Sequence, residues 1–170
     1  MTQEIAALLF ALLAVVGLAL MAWGWGRRAR RDAAIVAPVG PVRGAIRASF
    51  EGLYVATTRH DEPLERLNVQ PLSFRSRVSV SVTDEGVALD LPGAPTVFIA
   101  SDRLRGAGRA TWTIDRVVDG DGLVLLAWAP DDDTVCDTYV RLQDADPDAL
   151  VAEILPLLTS HDSTQMGAQR

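Results

Sequence analysis

The chain has 170 residues, of which 49% are hydrophobic, and carries a net charge of −6. All 16 basic residues are arginine, and the single cysteine, Cys136, cannot form an internal disulfide of the kind that small secreted domains use. The acidic excess lies in residues 48–170, which carry −10 and repel nucleic acid, so a DNA- or RNA-binding function is excluded.

An unbroken run of uncharged, mostly apolar residues covers positions 5–25. Because about 20 apolar helical residues cross a bilayer core of about 30 Å, this run predicts a transmembrane helix after a short extracytoplasmic N-terminus, residues 1–4. Trp23 and Trp25 end the run, where indole rings favour the membrane–water boundary. A cleaved signal peptide fits less well, since its basic residues precede a shorter apolar stretch.

Four arginines follow the apolar run and form a juxtamembrane basic cluster: Arg27, Arg28, Arg30 and Arg31. Positive flanks stay in the cytoplasm, which predicts a single-pass protein of the inner (plasma) membrane with its N-terminus outside and its C-terminal part in the cytoplasm. Residues 26–49 form a basic linker in this interpretation. Positions 32–49 contain prolines and glycines without a sustained period and are expected to be an extended tether.

Residues 50–159 are predicted to form one mainly β domain. Val78, Val80 and Val82 alternate with polar residues, the period of a half-buried strand. The same kind of pattern predicts seven strands in a meander, with an irregular connection at about residues 60–74 between the first two. The predicted strands are residues 52–59, 77–82, 87–91, 96–100, 111–118, 123–129 and 134–142. The sequence Asp119-Gly120-Asp121-Gly122 between the fifth and sixth of these strands indicates a tight hairpin.

The period then changes to that of an amphipathic helix. Asp146 suits the N-cap and Pro147 the first helical position, while Pro156 is expected to bend or close the last turn. Residues 160–170 are polar and are predicted to be a disordered tail. The apolar stripe expected to face the sheet consists of Leu150, Val151, Ile154, Leu155 and Leu158.

Seven antiparallel strands followed by one helix is the element order of a pleckstrin-homology (PH) domain, a sandwich or barrel capped by its C-terminal helix. The whole chain resembles a family of actinobacterial membrane proteins that join one N-terminal helix to a bacterial PH-like domain. The matching features are the Leu/Ala-rich anchor ending in Trp23 to Arg31, Gly52-Leu53-Tyr54-Val55, Leu104-Arg105-Gly106-Ala107-Gly108-Arg109 before Trp112, and Asp137-Thr138-Tyr139-Val140-Arg141.

This resemblance implies the fold and the membrane topology, and it brings no catalytic motif and no cofactor. Members of the family are often labelled exporters or transporters, and their genes tend to lie beside pyrimidine-synthesis genes. One helix cannot enclose a transport pathway, so transport would require oligomerisation or a channel-forming partner.

The residue types also argue against an enzyme. Cys136 alternates with Thr138, Val140 and Leu142 on the strand face expected to be buried, which predicts a structural thiol. The histidines, His60 and His161, lie in a loop and in the tail. Acidic turns at Asp119, Asp121 and Asp131 to Asp133 lack the ligand spacing of an EF-hand, so they are interpreted as solvated turns and no metal site is predicted.

Five arginines are candidate anion- or lipid-binding residues. Arg59, Arg75 and Arg77 flank the connection between the first two predicted strands, where phosphoinositide-binding PH domains carry basic residues. Arg105 and Arg109 flank a Gly-Ala-Gly segment whose amides and guanidinium groups suit an anion, although an ordinary flexible turn explains the same pattern.

The leading functional hypothesis is a non-catalytic adaptor that holds an unidentified protein partner at the inner membrane face. The alternatives are a lipid- or anion-sensing module and an accessory subunit of an export or transport complex.

Overall fold

The computed structural model describes residues 2–32, 35–110, 112–113, 116–117 and 123–167, in two compact units, Met1–Ala34 and Ile35–Arg170. The first unit is one helix, α1 (Thr2–Asp32). Its residues Ala7–Arg27 have the length and composition needed to cross a membrane, which makes α1 a candidate membrane helix. The helix is longer than the predicted apolar run, because its backbone continues through the arginines that follow.

The second unit is mainly β. Its described elements are β1 (Ile46–Arg59), β2 (Glu62–Arg66), β3 (Ser76–Thr83), β4 (Gly86–Asp90), β5 (Val97–Ala100), a 3₁₀ turn (Ser101–Arg103), β6 (Leu104–Arg109), β7 (Trp112–Thr113), β8 (Arg116–Val117), β9 (Leu123–Trp128), β10 (Cys136–Leu142) and α2 (Pro147–Gly167). The main sheet is antiparallel with the order β5-β4-β3-β1-β10-β9-β6, and β2 pairs with the end of β1. The first strand therefore lies beside the last, which joins the two halves of the sheet.

Strand β1 belongs to both halves of the sheet. Its N-terminal part pairs with β3 and its C-terminal part with β10, and Gly52 has partners on both sides. A Cβ atom at Gly52 would lie 2.6 Å from the carbonyl oxygen of Arg141, so the close approach of β10 requires glycine there. The register shifts between Tyr54 and Ala56, which places a bulge where the strand passes from one half to the other.

Helix α2 covers the core at the β6–β9 side of the sheet. The side chain of Asp146 accepts the N–H of Asp148 at 3.0 Å, which confirms the predicted N-cap. Leu150 and Ile154 are buried as predicted. Leu155, however, is 47% exposed, and Leu157, which was not predicted to face the sheet, is buried. The buried face of α2 therefore differs from the predicted apolar stripe near its C-terminal end.

The mainly β architecture with a C-terminal helix is confirmed, but one predicted strand is wrong and two strands were missed. Residues 111–118 do not form one strand against 123–129; Trp112 instead pairs with Val117 in the separate β7–β8 ribbon. Both edges of β9 are occupied, by β6 and β10. The predicted turn at 119–122 lies outside the described residues. The seventh strand of the main path is β6, and the connection at 60–74 contains β2, which was also missed.

The expected boundaries of the linker and the tail also change. Ile35 and Ala37 are buried in the core and β1 begins at Ile46, so most of residues 32–49 belongs to the domain and is not an extended tether. Apolar side chains at both positions explain this, because they fill the interior beside β5. At the other end α2 continues to Gly167, through Pro156 and most of the tail predicted to be disordered.

Candidate functional site

The candidate arginines do not form one cluster. Arg77 on β3 pairs with Leu53, whereas Arg59 lies six residues further along β1, about 20 Å of strand at the usual rise. Arg59 is half-buried and pairs in register with Cys136 and Glu62. The register of β1 therefore separates Arg59 from Arg77.

Arg75, which directly precedes β3, and Arg77, its second residue, are exposed. Arg77 lines a shallow cleft together with Glu51 and Asp90. Two carboxylates at the rim of this cleft offset the guanidinium charge, so the cleft does not concentrate positive potential for an anion.

The segment with Arg105 and Arg109 is the strand β6 and not a flexible loop. Nη1 of Arg105 donates to the carbonyl oxygen of Asp102 at 2.6 Å, back toward the 3₁₀ turn. Nη1 of Arg109 lies 3.3 Å from a carboxylate oxygen of Asp148, at the start of α2. Four residues of strand, about 13 Å, separate the two arginines, so each makes its own local contact and they do not grip one anion.

The juxtamembrane basic cluster continues α1. The guanidinium of Arg27 lies 5.7 Å from the ring centroid of Trp23, one helical turn earlier, a cation–π geometry. The side chains of Arg28, Arg30 and Arg31 lie outside the described residues, so their role in orienting the helix stays a prediction.

Cys136 is fully buried, and burial raises the pKa of its thiol to about 12. A thiol with so high a pKa is a poor nucleophile, in agreement with the predicted structural role.

The core also contains a network of hydrogen-bonded polar side chains. The indole N–H of Trp128 donates to Oγ1 of Thr138 at 2.9 Å, and the hydroxyl groups of Thr138 and Thr57 are 3.0 Å apart. The hydroxyl groups of Tyr54 and Thr57 are also 3.0 Å apart, which completes a network that fixes the junction of the two sheet halves.

His60 and Asp137 form an ion-pair site that the sequence did not predict. Nδ1 of His60 lies 2.9 Å from Oδ1 of Asp137, a residue that is only 4% exposed. The hydrogen bond to Asp137 and the charges of Asp137 and Asp61 raise the pKa of the His60 imidazole. In the register of β1 and β10, Arg59 pairs with Cys136, which brings the adjacent residues His60 and Asp137 together. The sequence did not predict that β1 pairs with β10, and without this pairing the two residues cannot be recognised as partners.

The acidic turns divide between described and undescribed residues. Asp119 and Asp121 lie outside the described residues. Asp131 accepts the backbone N–H of Asp133 at 3.1 Å, and a hydrogen bond from Thr134 lowers the pKa of its carboxyl. In the part of the chain that the structure describes, no three His, Cys, Asp or Glu side chains are grouped as metal ligands would be.

The two edges of the main sheet differ. At the β5 edge, Val39 forms a bridge with Val97, and the N–H of Phe98 donates to the carbonyl oxygen of Pro38 at 2.8 Å, so residues 38–40 cover this edge. At the other end, β6 pairs with β9 and has no second neighbouring strand among the described residues. Sequence reasoning missed β6 because Gly106 and Gly108 lower its strand propensity.

The strand order, the shared first strand and the capping helix define a PH-like domain. The model of the family described as "Bacterial PH domain-like" matches residues 34–155, which is most of the chain. The chain therefore belongs to the bacterial PH domain-like family, and the predicted PH-like fold is confirmed.

A solved structure gives a weaker likeness. The C-terminal domain of an unknown protein from Leishmania infantum is 13% identical, with a TM-score of 0.43 over 78% of this chain and 96% of that one. No curated protein sequence matches the chain.

Proposed function

We propose that this protein is a non-catalytic membrane adaptor, which holds a protein partner at the cytoplasmic face of the plasma membrane through the edge of β6 that no other described strand pairs with. α1 serves as the single anchor, with the N-terminus outside the cell. The uncharged stretch followed by Arg27 to Arg31 supports this orientation, because cytoplasmic flanks carry the excess of basic residues.

The observation that carries the adaptor function is the difference between the two sheet edges. An edge strand presents backbone amides and carbonyls that pair readily with another extended chain, and natural proteins usually cover or charge such edges. Here residues 38–40 cover the β5 edge, while β6 ends the sheet. Addition of a strand to an open edge is a common mode of peptide recognition.

The register of β6 identifies the backbone groups available to a partner. The N–H of Ala110 donates to the carbonyl oxygen of Leu123 at 2.9 Å. Bonded pairs recur at every second residue of an antiparallel ladder, so Gly108 and Gly106 direct their backbone groups toward β9. The amide and carbonyl of Ala107 consequently point away from β9, in the direction from which a partner strand would arrive.

The two glycines of β6 also favour a binding role over a purely structural one. A Cβ atom at Gly108 would meet nothing within 4 Å, and one at Gly106 would only touch Ala127 at 3.8 Å. Neither glycine has a positive φ. Glycine disfavours strands, yet the fold itself does not require it here. A partner strand with aromatic or β-branched residues opposite these positions would cover the bare backbone.

Affinity capture from solubilised membranes, with wild type and two β6 variants, tests this proposal. Ala107→Pro removes the outward N–H without removing a bond to β9, and should lower capture of the partner roughly tenfold, the effect of about 1.4 kcal/mol. Ala107→Ser, which keeps this N–H and adds only a hydroxyl, is the matched control and should retain capture. Equal capture by all three proteins, with equal denaturation midpoints, would contradict the role of β6.

A further inference from the structure

Three exposed valines at the start of the second unit form what we call the valine stripe: Val36, Val39 and Val42. They are 69%, 52% and 36% exposed. Ile35 and Ala37, on either side of Val36, are buried in the core. Burial assigns Ile35 and Ala37 to the fold, whereas the three valines are exposed and packing within the domain does not explain their apolar character.

The segment that carries the stripe is held in place. The N–H of Gly40 donates to the carbonyl oxygen of Thr96 at 3.0 Å, and that of Phe98 to Pro38 at 2.8 Å. Val39 itself bridges to Val97 on β5. The valines therefore project from a fixed sheet edge, and their exposure does not come from a loose connection.

Charge in this segment is opposite to that of the rest of the domain. Residues 35–47 contain Arg43 and Arg47 and no acid, whereas residues 48–170 carry −10. The guanidinium of Arg43 lies 4.8 Å from the ring centroid of Phe98 and is exposed. Two acids contact this segment: Asp84 accepts the N–H of Ala45 at 2.7 Å, and a carboxylate oxygen of Glu153 lies 3.6 Å from Nη2 of Arg47. An apolar stripe followed by a basic residue suits the anionic surface of a bilayer.

Chain length limits how far the stripe can lie from the bilayer. Five helical residues separate Arg27 from Asp32, a rise of about 7.5 Å. Four further residues lead from Asp32 to Val36 and span at most about 14 Å. If the apolar part of α1 crosses a bilayer, Val36 lies within about 22 Å of the end of that part, whatever conformation the connection adopts.

We propose that the valine stripe inserts at the headgroup–acyl boundary of the same bilayer that α1 crosses, with Arg43 beside lipid phosphate. This inference rests on the proposed membrane anchoring and adds a second contact, which fixes the orientation of the domain on the membrane. The occupant is lipid; burial by a second copy of the chain or by another protein is an outcome that the test separates.

The test uses the full-length chain in phosphatidylcholine–phosphatidylglycerol vesicles, with an environment-sensitive fluorophore on a single introduced cysteine. The native Cys136 is fully buried, so labelling is selective. Val39→Cys reports on the stripe. Leu13→Cys, in α1, reports on the anchor, and Asp132→Cys, in the exposed turn before β10, is the control outside the membrane. Lipids brominated near the glycerol end of an acyl chain serve as quencher.

The label at Val39 should be quenched roughly twofold or more, because interfacial groups penetrate about 5–10 Å into the headgroup–acyl boundary. The label at Asp132 should not be quenched. Adding Val36→Asp, at an exposed position, should reduce quenching at Val39 without changing quenching at Leu13.

Quenching at Leu13 without quenching at Val39 would overturn this inference and leave the anchor intact. A blue-shifted but unquenched label at Val39 would mean burial against protein and would also overturn it. An unquenched label at Leu13 would contradict the anchor itself, and with it the inference.

Discussion

Nδ1 of His60 lies 2.9 Å from Oδ1 and 3.0 Å from Oδ2 of Asp137, across 77 residues of sequence. His60 is half-exposed while Asp137 is buried, so the pair ties the β1–β2 turn to the side of β10. Because the two side chains are this close, protonation of His60 affects the stability of the junction between β1 and β10.

Stability should depend on pH through this pair. Because the pKa of His60 is raised in the folded state, its contribution is fully present below the unfolded pKa and is lost as the pH rises through the folded pKa. The urea midpoint of a fragment of residues 35–170 should therefore exceed that of His60→Asn clearly at pH 6 and by less at pH 9. A difference between the two midpoints that does not change with pH would contradict this linkage.

Helix α2 should stabilise the sheet through Ile154, which is 1% exposed. Ile154→Asp places a carboxylate in the apolar core and should lower the free energy of unfolding by about 4 kcal/mol. Ala152→Asp, on the exposed side of the same helix, is the matched control and should change it by less than about 0.5 kcal/mol. Similar denaturation curves for the two variants would show that α2 does not close the core.

Two glycines should respond oppositely to the same added methyl. Gly52→Ala brings Cβ against the carbonyl oxygen of Arg141 and should destabilise the domain by about 1–3 kcal/mol, since neighbouring backbone must move. Gly108→Ala meets no atom and should be neutral or stabilising by up to about 1 kcal/mol. Denaturant titration measures both, and equal effects would contradict the described approach of β10 to Gly52.

The periodic parts of the fold were predictable from sequence. The valines of β3 and the apolar face of α2 predict a strand and a helix because one side of each regular element is buried, and the apolar residues therefore recur with the period of that element. Strand β6 is different: Gly106 and Gly108 remove the pattern, and its strand conformation comes from pairing with β9. The same holds for β2, which is short, polar and contains Pro63.

The functional surfaces were harder to predict because they depend on long-range register. The five candidate arginines were grouped by their positions around two predicted loops, but the fold separates them. Strand pairing places Arg77 opposite Leu53, and the packing of α2 places Asp148 beside Arg109. His60 and Asp137 meet only because β1 pairs with β10, which the predicted meander did not specify. Local periodicity does not contain that information.

The orientation of α1 is testable by reporter fusions after Arg170. The asymmetry between Glu4 on one side and Arg27 to Arg31 on the other predicts a cytoplasmic C-terminus. A fluorescent protein that matures only in the cytoplasm should be bright at this position, and a phosphatase active only outside it should be inactive. The reverse pair of results would place the domain on the other side of the membrane.

Photo-crosslinking in intact membranes tests the adaptor function most directly. A photoreactive phenylalanine analogue at Gly108, on β6, is compared with the same group at Asp132, in the turn before β10. The proposed function predicts a discrete protein adduct from position 108, weakened by Ala107→Pro and missing from position 132. An adduct of the same mass and intensity from both positions, or one from 108 that Ala107→Pro leaves unchanged, would contradict a partner bound along β6.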